Sequence, residues 1–463
     1  MTLLCFDISS GGVSAALFNS KLEVVKFIEE NWELSATLSA GHIVERFKQA
    51  VRGLAIAEPL DAICIGAFMH NCVLLDRTDK PLTPVFTWFD QRGEAGIEFI
   101  RSRLGEGFHE RTGCRFHPMF PVFKLAALQA QNDQSIAQAR RVVSVKALLN
   151  QRLTGVWTED YGMASASGMY NIRDGDWDRE LLAILKLKKE MLPPVSSRSG
   201  VAGRITREAA SEFGLPEGVP VINGSGDGFF AHLGSECNSP QRISATLGTS
   251  AAVRQALSVP VFDPASGTFC YRAAGNEYVL GCAGNNGGNV LEWGRAVFGD
   301  LEAPGMGAAE DLPIFIPLLH GERSPDWNPH LKASWHGLTA RNTAADLARS
   351  VIEGVIFNLG HYVEILQETS RVKASSIVLS GNGFLHPLAA PILAAVAGIT
   401  VSAPSAPGFA SLRGAGVCAL EALGVAAPPL DTTQVPPLKD AGITKRYAEY
   451  KRLRNHLPPM LKA

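Results

Sequence analysis

The segment Ile222 to Arg254, INGSGDGFFAHLGSECNSPQRISATLGTSAAVR, contains the features that decide the fold. An apolar run precedes it from Val219, and its GSGDG sequence (224–228) leads into apolar residues, which predicts a strand, a tight turn and a helix. The later ISATLGTSAAV predicts two antiparallel strands joined by a turn at Gly248-Thr249-Ser250. Asp227 is therefore expected in the first turn of a helix, at the end of a strand.

Asp227 and the turn at 248–250 together indicate phosphoryl transfer to a hydroxyl group. The carboxylate could accept the hydroxyl proton, and consecutive backbone N–H groups of the turn could hold a phosphate. Each feature also has an ordinary structural interpretation. An aspartate after glycines can be a helix N-cap, and Gly-Thr-Ser can be a plain hairpin turn, so these residues alone leave both alternatives open.

The N-terminus repeats the same layout. LLCFDISSGGVSAALFN (3–19) predicts a strand ending at Asp7, a turn from Ser9 to Gly12 and a returning strand from Val13 to Phe18. Two halves that each begin with such a hairpin suggest one fold used twice, with a cleft in which phosphates are held from both sides. The alternation of strands and helices favours a mostly parallel or mixed sheet, with ligands beyond the strand ends.

Two further predicted strands end in residues that suit a sugar site. The strand Asp61 to Ala67 leads into Phe68-Met69-His70-Asn71, and the strand Val85 to Trp88 leads into Asp90-Gln91-Arg92. An aromatic face such as Trp88 covers C–H bonds, while a carboxylate and a guanidinium bind hydroxyls. His70 can equally be a hydrogen-bonded core histidine.

Other segments have simpler patterns. The proline- and aromatic-rich stretch His109 to Lys124 predicts a loop, and Thr343 to Glu368 predicts a long helix capped by Thr343 and Asp346. Ser380-Gly381-Asn382-Gly383 could lie against a flat adenine ring or be a plain turn. The helix predicted at Ser411 to Leu423 has a face of small residues for close packing, and Lys445 to Arg454 predicts a solvated helix face.

Composition excludes several classes of function. The 463 residues are 46% hydrophobic and 19% charged with a net charge of −2, as in a globular protein long enough for two domains or more. No basic run interleaves with aromatic residues and no apolar run could span a membrane, so neither nucleic acid nor a membrane is expected as a partner. Eight scattered cysteines without a CxxC pair, and no signal-peptide pattern, predict a cytoplasmic protein. The absence of GxxxxGK[ST], HExxH and GxSxG argues against a P-loop enzyme, a zinc protease and a serine hydrolase.

The order of the motifs resembles the FGGY family of carbohydrate kinases over nearly the whole chain. These motifs are DISSGGVSAALF, MHN, TWFDQR, TGCRFHPM, SASGMYN, GSGDGFFAHLG, ATLGTSAAV, HGERSPDWNP, IEGVIFNL and LSGNG. TWFDQR, RTGCRFHPM and DYGMASASGMYN most resemble the gluconate kinase branch. The resemblance implies an α/β fold with two actin-like (ribonuclease H-like) domains and a cleft between them. Residues 1–238 would bind sugar and carry the first phosphate hairpin, and residues 239–463 would bind nucleotide.

The resemblance also implies ATP and Mg²⁺ as cofactors and a small sugar or sugar acid as substrate. Asp227 would be the general base, and Asp7 would help to hold hydrated Mg²⁺. The nucleotide would be held by Ser9, Ser10, Gly11, Gly248, Thr249, Ser250, Gly381, Asn382 and Gly383. The substrate would contact Met69, His70, Trp88, Asp90, Arg92 and Asp227. A sugar acid would also need a cation, for which Arg92 and Lys124 are the candidates.

The chain departs from the family pattern at the first turn. Where the family has Asp-x-Gly-Thr or Asp-x-Gly-Ser followed by a basic residue, this chain has Asp7-Ile8-Ser9-Ser10 and then Ser14. Ala389 and Pro391 replace a tryptophan and a glutamine of the adenosine-side helix, and Phe409-Ala410 replaces Glu-Ala. A lost charge-assisted phosphate contact costs about 1.5–3 kcal/mol.

Two functions are therefore compatible with the sequence. The first is an ATP-dependent kinase for gluconate, ahead of ketopentoses (xylulose or ribulose) and polyols. The second is a family member that binds sugar or nucleotide without efficient turnover, as a sensor or partner. The chain could form a homodimer in either case.

Overall fold

The computed structural model describes residues 1–105, 107–299, 301 and 311–456. Two large β-sheets organise these residues. The first sheet contains β1 (Thr2–Ser9), β2 (Gly12–Asn19), β3 (Val24–Asn31), β4 (Ala62–Ala67), β5 (Val201–Arg204) and β6 (Pro220–Gly226). Its order is β5-β6-β4-β1-β2-β3, with β1 parallel to β4, β4 parallel to β6, and the other pairs antiparallel.

The second sheet repeats this arrangement. It contains β7 (Arg242–Leu247), β8 (Ala251–Leu257), β9 (Phe269–Ala274), β10 (Glu277–Gly284), β11 (Ser376–Ser380), β12 (Thr400–Pro404) and β13 (Thr432–Gln434). Its order is β9-β10-β8-β7-β11-β12-β13, and β7, β11 and β12 run parallel. In each sheet an N-terminal hairpin is therefore followed by two parallel strands on its inner side. The repeat expected from the two similar hairpins is confirmed, and so is the α/β class.

Helices cover the sheets. In the first half of the described chain they are α1 (Ala40–Gly53), α2 (Glu94–Leu104), α3 (Gly107–Thr112), α4 (Pro121–Ala130), α5 (Gln134–Gln138), α6 (Val145–Thr154), α7 (Tyr161–Ser165), α8 (Arg179–Ile184), α9 (Arg207–Phe213) and α10 (Asp227–Gly234). Further along they are α11 (Gly288–Phe298), α12 (Ala344–Ser370), α13 (Ala389–Val396), α14 (Ala410–Ala422) and α15 (Ile443–Asn455). Short strand pairs join Thr37–Leu38 to Val85–Phe86, Val73–Leu75 to Arg141–Val143, Glu159–Asp160 to Val195–Ser196, Tyr170–Asn171 to Asp176–Trp177, and Ile314–Ile316 to Ser334–His336.

Strand β1 shows how the first sheet is buried on both faces. Leu4 and Phe6 face the core shared with α1, α6 and α9, while Leu3 and Cys5 face the core shared with α10 and α14. Because side chains alternate along a strand, Asp7 lies on the second face, towards α10. Residues at the ends of β1 and at the start of α10 therefore meet at one edge of the sheet.

Helix α14, from the C-terminal part of the chain, packs against the first sheet rather than the second. It crosses α10 so closely that a Cβ on Gly414 would lie 2.0 Å from the carbonyl oxygen of Phe230. The predicted close packing of the small face of this helix is confirmed. The division of the chain at residue 238 stays a prediction.

Two local predictions are wrong in part. The stretch His109 to Lys124 is not one loop, because α3 extends to Thr112 and Pro121 begins α4, where proline is favoured since its missing N–H would have no helical partner. The basic segment near the C-terminus forms a helix, but Arg446 and Arg454 are buried rather than solvated. Arg446 pairs with Glu353 and Asp440, and Arg454 pairs with Asp326.

The long helix, the cysteines and the absence of a membrane span were also predicted from the sequence. Helix α12 begins at the expected capping box, in which Thr343 and Asp346 each bond the other's backbone N–H. All eight cysteines are buried and none forms a disulfide. No helix among the described residues is both long enough and apolar enough to span a bilayer.

Candidate active site

A cavity of about 200 Å³ lies between the two sheets, and both halves of the chain line it. Seven of its residues belong to the predicted site: Ser10, Met69, His70, Trp88, Asp227, Thr249 and Ser250. Ten others were not predicted: Met119, Phe229, Ala252, Arg254, Phe269, Tyr271, Val279, Ala283, Arg323 and Trp327. The structure thus brings the candidate base, one residue of the first hairpin turn and two of the second into one space.

Asp227 is the first residue of α10, directly after β6. The N-cap position belongs to Gly226, so Asp227 is not the helix cap. One carboxylate oxygen accepts the N–H of Gly228 at 2.6 Å. Burial raises the pKa of Asp227, while the Gly228 N–H and the charge of Arg254 act in the opposite direction. The carboxylate is therefore held by few partners and faces the cavity, as a proton acceptor requires.

A buried network fixes the strand end that carries Asp227. Asp160 accepts the hydroxyl of Ser225 at 2.6 Å and the N–H of Gly162 at 2.9 Å. The fully buried Lys146 lies 3.4 Å from Asp160 and 3.0 Å from Glu159, and donates to the carbonyl of Asn223 at 3.0 Å. This network locks the backbone two residues before the base, and sequence reasoning missed it.

Asp7 lies at the end of β1, half-buried and on the same edge as Asp227. Burial, and then the charge of Asp227, raise its pKa to about 7, while the hydroxyl of Ser411 lowers it. Its Oδ1 atom is buried and has no hydrogen-bond partner. A carboxylate oxygen without a partner, facing a second carboxylate, fits a hydrated Mg²⁺, which binds proteins through one or two carboxylates and several waters. Asp7 is thus a suitable magnesium ligand.

The first hairpin turn is tied to the proposed sugar site. The indole N–H of Trp88 donates to the hydroxyl of Ser10 at 3.1 Å, and Ser10 lines the cavity. Ser9 and Gly11 close the turn, since the hydroxyl of Ser9 accepts the N–H of Gly11 at 3.2 Å. A residue expected to contact phosphate and one expected to contact sugar are therefore in direct contact.

The second turn lies beside the Gly381–Gly383 segment. Leu247 pairs with Ala251 at the end of the hairpin, and Gly248-Thr249-Ser250 forms the turn between β7 and β8. A Cβ on Gly381 would lie 2.5 Å from the carbonyl oxygen of Leu247, so the two predicted nucleotide segments are in contact. Asn382 and Gly383 begin a short 3₁₀ helix, Asn382–Leu385, and do not line the cavity itself.

His70 is one of the predicted substrate residues, and its ring is almost fully buried. Nδ1 lies 2.8 Å from the carbonyl oxygen of Ala166, which can only accept, so this nitrogen carries the proton. Burial lowers the pKa of His70 to about 3, which keeps the ring neutral. Nε2 is then an acceptor for a donor in the cavity, such as a sugar hydroxyl.

Asp90 and Arg92 do not line the cavity. The carboxylate of Asp90 accepts the backbone N–H of Arg92 at 2.9 Å and its Nε at 2.7 Å, and the guanidinium lies 3.9 Å from the centre of the Phe86 ring. The two side chains therefore neutralise each other outside the cavity. Their expected contact with substrate is not supported by this placement.

Lys124 cannot serve as the cation for a sugar acid. It is fully buried, and Nζ donates to the carbonyl oxygens of Thr87 at 2.5 Å, Met119 at 2.7 Å and His70 at 3.2 Å. Its three protons are used by the backbone that carries the cavity residues. The prediction that Lys124 meets a substrate carboxylate is therefore wrong.

The cations that do line the cavity are Arg254 and Arg323. Arg254 could have been found from the sequence, because Ser250 directly before β8 and Ala252 and Arg254 within it are alternate residues, and all three line the cavity. Arg323 is the last residue of the segment HGER (320–323), and nothing in its spacing indicates a site. Tyr271 and Phe269, which stack at 4.5 Å, form the apolar wall between them.

Comparison with known proteins decides the family. The model for the N-terminal domain of the FGGY family of carbohydrate kinases matches residues 3–234, and the model for the C-terminal domain matches residues 193–423. The chain belongs to the FGGY family of carbohydrate kinases. The resemblance stated from the sequence motifs is confirmed, and so is the carbohydrate kinase activity it implies.

Individual FGGY relatives act on different sugars. Gluconokinase of Bacillus subtilis (strain 168) is 29% identical over 385 residues, which cover 77% of this chain and 75% of that protein. Xylulose kinase of Klebsiella pneumoniae is 27% identical over 397 residues, which cover 81% of each. The crystal structure of gluconate kinase from Lactobacillus acidophilus superposes with a TM-score of 0.89 at 26% identity, covering 98% of this chain and 97% of that one. The two-domain actin-like fold is confirmed, and similarity alone shows a sugar kinase rather than one substrate.

Proposed function

We propose that this FGGY kinase transfers the γ-phosphoryl group of ATP to a hydroxyl of a small sugar acid, with gluconate as the first candidate. The observation that carries the proposal is that Asp227 and the turn at Thr249-Ser250 line the same cavity. The two buried guanidinium groups of Arg254 and Arg323 favour an anionic acceptor over a neutral one. Similarity to a gluconokinase and to a gluconate kinase supports the same choice.

Asp227 would act as the general base. Its raised pKa brings a carboxylate closer to the range in which it accepts a proton well at neutral pH, while Arg254 and the Gly228 N–H oppose this rise. The substrate hydroxyl would lose its proton to Asp227 as it attacks phosphorus. Nε2 of His70 would accept a second hydroxyl, and the face of Trp88 would cover the carbon chain.

The nucleotide would lie between the two hairpin turns. Ser9, Ser10 and Gly11 would face its phosphates from one half, and Gly248, Thr249 and Ser250 from the other. Gly381, Asn382 and Gly383 would border adenine. Asp7 would hold Mg²⁺, which when bound neutralises charge on the transferring phosphoryl group. Residues 1–238 would accordingly be the sugar-binding domain and 239–463 the nucleotide-binding domain, and a cytoplasmic homodimer stays a prediction.

An ADP-release assay tests the proposal. The acceptors are gluconate, xylulose, ribulose, glycerol and erythritol, and we expect gluconate to give the highest kcat/KM. Asp227→Asn should lower kcat by about 10²- to 10⁴-fold, the usual contribution of a general base, without abolishing sugar binding. Sugar binding by calorimetry without sugar-stimulated ADP release from the parent protein would instead favour the alternative of a binding protein without turnover.

A further inference from the structure

Arg323 has a guanidinium group that the protein does not fully satisfy. The side chain is only 8% exposed, and Nη2 donates to the carbonyl oxygen of Gly284 at 2.6 Å. Nε is buried and has no hydrogen-bond partner. The guanidinium lies 5.6 Å from the centre of the Trp88 ring, on the wall expected to contact sugar. The guanidinium is therefore only partly hydrogen-bonded by the folded chain, although Arg323 lines the cavity.

The acid next to Arg323 in the sequence is committed elsewhere. Oε1 of Glu322 accepts the backbone N–H groups of Asn285 at 2.8 Å and Arg323 at 3.0 Å. Oε2 accepts the hydroxyl of Tyr362 at 2.6 Å and the amide of Asn358 at 3.0 Å. Glu322 therefore anchors the loop that carries Arg323, while the guanidinium group forms no ion pair within the described residues.

Arg254 occupies a different part of the same cavity. Its Nη1 donates to the hydroxyl of Thr246 at 3.2 Å, and a Cβ on Gly228 would lie 2.6 Å from its Nη2. This guanidinium thus lies beside the first turn of α10, where it lowers the pKa of Asp227 more strongly than Arg323 does. Arg254 is placed to act on the base, and Arg323 is placed on the Trp88 side.

We propose that Arg323 is the residue that selects sugar acids, by forming a charge-assisted pair with the carboxylate of the acceptor. This inference rests on the proposed function and adds the group that distinguishes a sugar acid from a neutral sugar. A carboxylate compensates the charge of the guanidinium and accepts from its Nη donors, whereas an amide or a hydroxyl leaves the buried charge uncompensated. Trp88 then covers the adjoining carbon chain.

The test compares gluconate with gluconamide, its neutral isostere, by calorimetry without nucleotide. The parent protein should prefer gluconate, and Arg323→Gln should weaken gluconate binding by about 10- to 100-fold while changing gluconamide binding much less. Arg92→Gln is the matched control, because the Arg92 guanidinium pairs with Asp90 outside the cavity and its loss should leave the preference for gluconate in place. Arg323→Lys, which keeps the charge but not the forked geometry, should show an intermediate preference, and it replaces Arg323→Gln if that variant does not fold.

Two results would overturn the proposal. One is an equal loss of gluconate and gluconamide binding in Arg323→Gln, which would mean that Arg323 only shapes the cavity. The other is a parent protein that binds both ligands equally. ADP release is measured in parallel and tests the phosphorylation of gluconate separately. Selective gluconate binding through Arg323 without ADP release would support this inference and reject gluconate as the phosphorylated substrate.

Discussion

Asp7 at the end of β1 and Asp227 at the start of α10 form a pair of carboxylates that repel each other. Burial, and then the charge of Asp227, raise the pKa of Asp7 to about 7, and the Oδ1 atom of Asp7 has no hydrogen-bond partner. The hydroxyl of Ser411 opposes this rise at Asp7, and the charge of Arg254 acts on Asp227. The pair is therefore unfavourable when both groups are charged, unless a bound cation compensates.

The first prediction is a pH-dependent cost of this pair to stability. The pKa of Asp7 in the folded protein, about 7, lies above its ordinary value of 3.8, so the folded state holds the proton more tightly. Stability should fall as the pH rises from about 4 to about 7, and the cost should be complete above pH 7. We expect Asp7→Asn to raise the free energy of unfolding at pH 8 by on the order of 2 kcal/mol, with little effect at pH 4. Urea unfolding at the two pH values, without divalent ions, measures this difference.

Magnesium provides the check on this first prediction. Mg²⁺ should stabilise the parent protein at pH 8 and lose this effect below pH 6, because it must compete with a proton on Asp7. Asp61→Asn is the matched control, since Asp61 accepts the N–H of Thr2 at the opposite end of β1. Equal stabilisation of the parent and Asp7→Asn by Mg²⁺ would show that Asp7 is not a ligand.

The second prediction concerns Lys124, whose three backbone acceptors hold the cavity walls. Lys124→Met keeps the length of the side chain but leaves the carbonyl groups of His70, Thr87 and Met119 without this donor. We expect the free energy of unfolding to fall by about 3 kcal/mol, and KM for the sugar to rise more than KM for ATP. Urea unfolding and steady-state kinetics measure both. An unchanged KM for sugar in a folded variant would mean that the walls do not depend on Lys124.

Short-range patterns predicted the parts of the site that lie on hairpins and helix starts. The turn at 248–250 and the position of Asp227 follow from apolar residues interrupted by glycines. Such a pattern reflects the backbone conformation of only a few neighbouring residues. The cap of α12 follows from Thr343 and Asp346 in the same way. These features depend on local geometry, so a sequence shows them directly.

Long-range contacts account for what the sequence did not show. The carbonyl acceptors of Lys124 lie 5, 37 and 54 residues away, and Arg446 pairs with Glu353 at a distance of 93 residues. A lysine near the start of an apolar helix and an arginine in a basic helix resemble ordinary surface residues when read locally. Only the packing of distant segments makes the first an anchor of the cavity and the second a buried ion pair.

The third prediction tests the missing cation of the first hairpin. Ser14 lies directly across from Asp7 on β1 and from Glu29 on β3, so the three side chains share one face, and the Ser14 hydroxyl donates to Glu29 at 3.4 Å. Arginine at position 14 would be drawn towards Glu29. An arginine at this position would restore a cation beside the turn, so we expect Ser14→Arg to tighten ATP binding. Glu29→Gln removes the competing carboxylate, so the two changes together should tighten ATP binding further, by up to about 10-fold. Calorimetry with ATP decides, and equal or weaker binding in both variants would show that this turn does not face phosphate.

The fourth prediction uses two glycines to separate backbone strain from a specific contact with the nucleotide segment. Gly381 (φ +91°) and Gly398 (φ +67°) both adopt a backbone conformation that alanine disfavours, at a cost of about 1 kcal/mol. Of the two, only Gly381 would bring an added Cβ against another segment, 2.5 Å from the Leu247 carbonyl oxygen and 3.1 Å from the Gly248 nitrogen. A Cβ added at Gly398 would extend into open space, with no such contact within 4 Å. Gly381→Ala should therefore displace the turn at 248–250 and weaken its contact with phosphate. We expect KM for ATP to rise about 10-fold more in Gly381→Ala than in Gly398→Ala, which corresponds to a loss of about 1.4 kcal/mol of binding free energy. Sugar binding should be unchanged in both variants. If steady-state kinetics gave the same KM for ATP in the two variants, the Gly381 segment would not support the nucleotide turn.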